Sequence, residues 1–162
     1  MTNYKLHETK KDLYKEGCVV EELKAVFEGE FVKLPIAYHA DYAVLRNNRV
    51  VGLIEIRTRI KKYDTIWLSV QKRIGLLQLA NSLDVPMIFA VRYPDGLYYI
   101  DVNEKPCYFG KGYRNNMRDD RDLEIVCNYS TKRLKRLKTP ENSPMDKWYV
   151  DNGILSPKMG LK

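Results

Sequence analysis

Asp41-Tyr42-Ala43-Val44-Leu45-Arg46-Asn47-Asn48-Arg49-Val50-Val51-Gly52-Leu53-Ile54-Glu55-Ile56-Arg57 places an acid on each of two short apolar runs joined by an Asn pair, in the spacing D-x13-E-x-R. Runs rich in β-formers around such a turn predict a hairpin, with one strand over 37–45 and the next over 50–57. Side chains alternate along a strand, so Asp41 is expected to share a face with His39, Ala43 and Leu45, and Glu55 with Leu53 and Arg57. One pairing register then brings both carboxylates and the guanidinium together. Two acids at close range repel unless a cation lies between them. Hard oxygen ligands with open coordination positions suit Mg²⁺ or Mn²⁺, which can activate water and stabilise charge on a phosphoryl group. His39 has two readings, a group lining this pocket or a satisfied neighbour on the strand.

The flanking chain supplies the elements around that hairpin. Residues 10–27 carry Leu13, Val19, Val20, Leu23, Val26 and Phe27 mostly at helical spacing, with Thr9 as N-cap and Gly29 near the stop. Lys33-Leu34-Pro35 breaks the helix and leads into the hairpin. The polar, aromatic passage 60–67 reads as a loop beside the candidate site. Val70, Ile74, Leu77, Leu79 and Ala80 describe a second helix over 68–83, ended by Asp84-Val85-Pro86. Its N-terminal half holds Ser69, Lys72 and Arg73, where the helix dipole favours phosphate oxygens, although Ser69 reads equally well as a cap. Residues 87–91 form a continuous apolar run of the kind a buried central strand shows, and Pro94-Asp95-Gly96 turns the chain into 97–102. Beyond it, 110–122 reads as an exposed loop, 123–129 as a strand, and 139–162 as a partly extended segment carrying Trp148-Tyr149-Val150.

Asp41, Glu55-Ile56-Arg57, the helix with Ser69 and Lys72, Val85-Pro86-Met87-Ile88-Phe89-Ala90-Val91 and Tyr93-Pro94-Asp95-Gly96-Leu97-Tyr98-Tyr99 together resemble the PD-(D/E)XK nuclease superfamily, in particular its small phage-encoded, resolvase-like members. The likeness covers roughly residues 16–101. It implies an α/β (α+β) fold with a central mixed β-sheet flanked by helices, a restriction-endonuclease-like αβββαβ core, and a metal-dependent deoxyribonuclease activity on branched or structured DNA. It also implies that Asp41, Glu55 and the Ile56 carbonyl hold Mg²⁺ or Mn²⁺, and that Glu16 on the first helix is the additional acid, with Glu21 and Glu22 as competitors. The same three acids also read as the solvated face of an amphipathic helix. Where the family has Lys, this chain has Arg57, which never deprotonates and cannot be a general base but can clamp a phosphate. Lys72, on the next helix, matches the migrated lysine that some members carry. An Arg at this position also fits a degenerate site.

Composition agrees with these expectations. The 162 residues, 44% hydrophobic, suffice for one compact domain spanning 1–162. No apolar stretch approaches the roughly 20 residues of a membrane helix. Met1-Thr2-Asn3-Tyr4-Lys5-Leu6-His7 lacks an apolar signal core, so the expected compartment is the cytoplasm, that of a host cell for a phage-encoded protein. Three cysteines without C-x2-C spacing argue against a disulfide framework and a zinc site. The formal net charge of +7 favours polyanions. Arg57, Arg59, Lys61 and Lys62 follow on the candidate site, Lys72 and Arg73 adjoin it, and twelve tyrosines offer stacking faces for unpaired bases. DNA is thus the expected partner. A junction-cleaving role would need a homodimer, whose interface the sequence does not locate. Two alternatives stand beside the nuclease reading: a catalytically inactive DNA-binding module on the same fold, and a small basic host-interaction protein.

Overall fold

The computed structural model describes residues 9–113 and 123–157. The first helix, α1 (Lys10–Lys24), begins at a capping box: the Thr9 side chain accepts from the Asp12 N–H and the Asp12 carboxylate accepts from the Thr9 N–H. It ends at Lys24 and not at Phe27, and Phe27 packs instead from the following turn against Tyr99.

A six-stranded mixed sheet follows, built from β1 (Glu30–Lys33), β2 (Tyr42–Arg46), β3 (Arg49–Thr58), β5 (Met87–Tyr93), β6 (Gly96–Asp101) and β9 (Lys135–Leu137), in the order β1-β2-β3-β5-β6-β9. The β3–β5 pair is parallel and every other pair in this sheet is antiparallel. Asn47 and Asn48 both take positive φ, 50° and 60°, which a two-residue turn of the primed type demands, and this closes the expected hairpin. Its first strand is shorter than the sequence suggests. Ile36–Tyr38 forms a 3-10 turn after Pro35, His39 sits at φ 63°, and pairing starts only near Asp41.

Between β3 and β5 the chain forms β4 (Thr65–Ser69) and α2 (Val70–Leu83). The passage read as a loop over 60–67 therefore ends in a strand, and the helix starts at Val70 and not at Leu68. β4 belongs to a second, antiparallel sheet of order β4-β8-β7, with β7 (Tyr108–Tyr113) and β8 (Leu123–Ser130). Residues 110–113, expected in a loop, are strand, and the remainder of that expectation, 114–122, lies outside the described residues. Within the C-terminal segment read as partly extended, α3 (Pro144–Asp151) is helical, capped by Ser143.

The main sheet is covered on both faces. One face, with Ile54, Ile56 and Ala90, packs on α1 and α3 through Val19, Leu23 and Tyr149. The other, with Leu53, Phe89 and Val91, packs on α2 and the second sheet through Leu76, Leu68 and Tyr129. In the main sheet, α1-β1-β2-β3-α2-β5 gives the expected αβββαβ order, with β4 inserted before α2. No helix among the described residues is long and apolar enough to cross a membrane.

Candidate active site

Strand β3 positions the centre of the site. In the β2–β3 register Tyr42 opposes Ile54 and Ala43 opposes Leu53, which one step further sets Asp41 across from Glu55. The Asp41 N–H donates to the Ile54 carbonyl at 3.0 Å, and the Ile56 N–H donates to Asp41 Oδ2 at 2.8 Å, so the β3 backbone holds both the main chain and the carboxylate of Asp41. The N–H and C=O of one strand residue point to the same edge, so the Ile56 carbonyl points to the β2 edge of the strand, the edge on which Asp41 lies. Asp41, Glu55, Ile56, Arg57 and Lys72 line one pocket of about 290 Å³, together with Glu16 and Arg59. The larger cavity, about 690 Å³, lies between the β5–β6 turn and α3 and contains none of these acids.

Glu55 is 1% exposed. Burial, then the neighbouring Asp41 charge, raise its carboxyl from the ordinary 4.5 to about 7, with Arg57 and Lys72 pulling the other way. Lys72 Nζ reaches Glu55 Oε1 at 2.7 Å and Arg57 Nη2 approaches it at 3.4 Å. Glu55 Oε2 and Arg57 Nε are buried with no hydrogen-bond partner among the described residues. Arg59 donates to the Thr58 carbonyl, and burial and Arg57 push its guanidinium down. Glu16 is buried on α1 with Lys33 Nζ 2.5 Å from its Oε1, and Lys33 also lies 3.8 Å from Asp41 Oδ1.

Other expected contributors lie elsewhere. His39 does not share a strand face with Asp41, because its left-handed backbone turns the ring onto α2 beside Gly75. Glu22, weighed as a competing site acid or a solvated one, is 1% exposed and paired with Arg92. Ser69 Oγ accepts from the Lys72 N–H as the N-cap of α2. Arg73 donates to the Tyr129 hydroxyl and the Glu104 carbonyl. Lys62 lies over the Tyr98 ring and 3.8 Å from Asp95, and Lys61 over the Tyr63 ring.

Asp12, Lys15 and Thr58 also line the pocket, and sequence reasoning passed over them. Lys15 and Asp12 were findable, since they lie one residue and one helical turn from Glu16 on α1. Lys33 was hidden in a stretch read only as a break.

Hard oxygen donors suit Mg²⁺ or Mn²⁺ here. Among the described residues no three His, Cys, Asp or Glu side chains converge as a complete metal cage. Mg²⁺, however, commonly takes one or two carboxylates and keeps waters and substrate phosphate for the rest. Asp41, the Ile56 carbonyl and Glu55 Oε2, which has no hydrogen-bond partner among the described residues, would be the oxygens available to such an ion.

The family described as "Phage putative PDDEXK endonuclease" matches residues 2–137. Among solved structures, Hjc, a Holliday junction resolvase from the archaeal hyperthermophile Archaeoglobus fulgidus, is similar with a TM-score of 0.47 and 13% identity, over 74% of this chain and 84% of that one. No curated protein matches the chain.

Proposed function

The chain belongs to the phage PDDEXK endonuclease family, and on that premise we propose that it is a divalent-metal-dependent deoxyribonuclease that hydrolyses phosphodiester bonds in DNA, branched or structured DNA included. The observation that carries the reading is the salt bridge of 2.7 Å from Lys72 Nζ to Glu55 Oε1, in the same pocket as Asp41 and Arg57. It supplies from α2 the ammonium that the motif lacks on β3.

Asp41, Glu55 and the Ile56 carbonyl would hold Mg²⁺ or Mn²⁺, with Glu16 as the additional acid. When bound, the metal supplies positive charge to the phosphoryl group and acidifies water. Arg57 cannot exchange a proton at working pH, so its part is to bind phosphate oxygens through the accessible part of its guanidinium, at the pocket wall. Lys72 Nζ brings the ammonium to Glu55, and the Ser69 cap fixes the turn that carries it. Arg59, half-buried at the pocket wall, adds a second guanidinium for the DNA backbone. Lys61, Lys62, Ser69 and Arg73 were expected at DNA as well. Within that set, Ser69 and Arg73 are held by contacts within the fold, which leaves the backbone contacts to Arg57, Arg59, Lys61, Lys62 and Lys72.

The test incubates the protein with labelled linear, flapped, four-way and single-stranded DNAs in Mg²⁺, Mn²⁺ or EDTA, beside Glu55→Ala, Lys72→Met and Arg57→Lys. Cleavage is expected to need metal, to vanish in Glu55→Ala with the far-UV spectrum intact, and to fall by about 10²-fold or more in Lys72→Met. Arg57→Lys is expected to retain or raise activity. Full activity in Glu55→Ala would overturn the assignment. DNA binding without cleavage, equal in wild type and Glu55→Ala, would make the chain a binding module.

A further inference from the structure

Lys33, like Lys15 on the pocket wall, is a cation that neither the motif nor the sequence reading contains, and it stands beside the site against two of its acids. It ends β1, where the β1–β2 register pairs it directly with Tyr42, the neighbour of Asp41. The Leu34 N–H donates to the Asp41 carbonyl at 2.9 Å, so the strand pairing holds this lysine's backbone beside the acid. From there Nζ meets two carboxylates from different elements, Glu16 Oε1 of α1 at 2.5 Å and Asp41 Oδ1 at 3.8 Å, with the Tyr42 ring centroid 5.3 Å away. Lys72 and Arg57 serve Glu55, and Lys33 serves the other two acids. A carboxylate buried as deeply as Glu16 needs such a partner, because desolvation disfavours its charged form.

We propose that Lys33 is the resident counter-cation of the site: it neutralises Glu16 and Asp41 in the metal-free chain and competes with the divalent ion for them, so its charge sets metal affinity. The inference rests on the metal-site reading above. Asp41 Oδ2 already accepts from the Ile56 N–H, which makes Oδ1, the oxygen that faces Lys33, the one with more capacity for a metal. A divalent ion on Oδ1 would sit within a few ångströms of the ammonium, a repulsion strong at partly buried sites. The flexible lysine stem and the Tyr42 ring face give the ammonium somewhere to withdraw. Lys33 is thereby a positioning residue for the acids, poised against the ion they bind.

The test titrates Mn²⁺ into the full chain and reads free Mn²⁺ by electron paramagnetic resonance, for wild type, Lys33→Met, Lys33→Arg and Glu55→Ala. Lys33→Met is expected to bind about tenfold more tightly, Lys33→Arg to bind like wild type, and Glu55→Ala to lose the site. If Glu55→Ala loses binding but Lys33→Met binds with wild-type affinity or more weakly, Lys33 is not a competitor and the inference falls while the metal-site reading stands. If wild type shows no binding that depends on Glu55, the metal-site reading falls and takes this inference with it. Far-UV circular dichroism of each variant confirms that the comparison is between folded proteins.

Discussion

Glu55 is charged only against its surroundings. Its carboxyl, buried and facing Asp41, titrates at about 7 where the ordinary value is 4.5, so between those pH values the folded chain holds a proton that the unfolded chain has released. Stability from this group is therefore lost as pH rises through that window, on the order of 3 kcal/mol in all. Measured in EDTA, the melting temperature of wild type is expected to fall between pH 5 and pH 8, and that of Glu55→Gln to fall less. Superimposable pH profiles of the two proteins would refute the shift. The residue-level chemistry was legible where it followed local rules: alternation set Glu55 and Arg57 together on β3, and helical position set Lys72 over them. Lys33 was not legible, because its role comes from a β1–β2 pairing between residues nine apart across a turn that the sequence did not reveal.

Element boundaries went astray wherever one residue serves two elements or packing overrides propensity. Ser69 both ends β4 and caps α2, so the alternation Ile66-Trp67-Leu68 runs into the helix with no breaker between them. Gly110 and Gly112 read as loop, yet both lie in β7, and a side chain at Gly112 would run into Val126 of the paired strand β8. His39 looked like a strand residue because its neighbours are β-formers, but its φ of 63° turns the ring onto α2. There the imidazole comes 2.8 Å from where a Cβ on Gly75 would stand. Gly75→Ala should gain helix propensity of about 1 kcal/mol in isolation. In the protein the exposed His39 ring has to swing aside first, and this is expected to cancel most of that gain. Placed in a His39→Gly background, which removes the ring and suits the positive φ, the same substitution should become stabilising. Urea unfolding of the four proteins in this cycle decides the matter, and a Gly75→Ala variant that gains as much with His39 in place would show that the ring is free to move.

At the scale of the molecule, the sheet is clamped from its α1–α3 side by a buried charge network. Arg92, in the central strand β5 and 1% exposed, donates to Glu22 Oε2 of α1 at 2.9 Å, to Asp146 Oδ1 of α3 at 2.6 Å and to the Tyr93 carbonyl. Ser143, the cap of α3, donates to Glu22, and the Tyr149 hydroxyl hydrogen-bonds the Arg59 and Arg92 carbonyls at 2.7 Å and 3.0 Å. α3 lies beyond residue 137, where the family match ends, yet it is tied through Tyr149 to the backbone leaving β3 at Arg59, on the wall of the candidate site. The sequence hid this because Glu22 sits among charged neighbours on α1 and its partners are 70 and 121 residues away. Removing one member of a buried network costs more than the network contributes, since the survivor is left charged and dry. Arg92→Met is therefore expected to lose about 3–5 kcal/mol in urea unfolding. Adding Glu22→Gln to it removes the stranded charge and should return most of that loss. If the single and double variants unfold at the same urea concentration, Glu22 is not stranded by the loss of Arg92, and apolar packing of α1 and α3 on the sheet would suffice to hold this side of the fold.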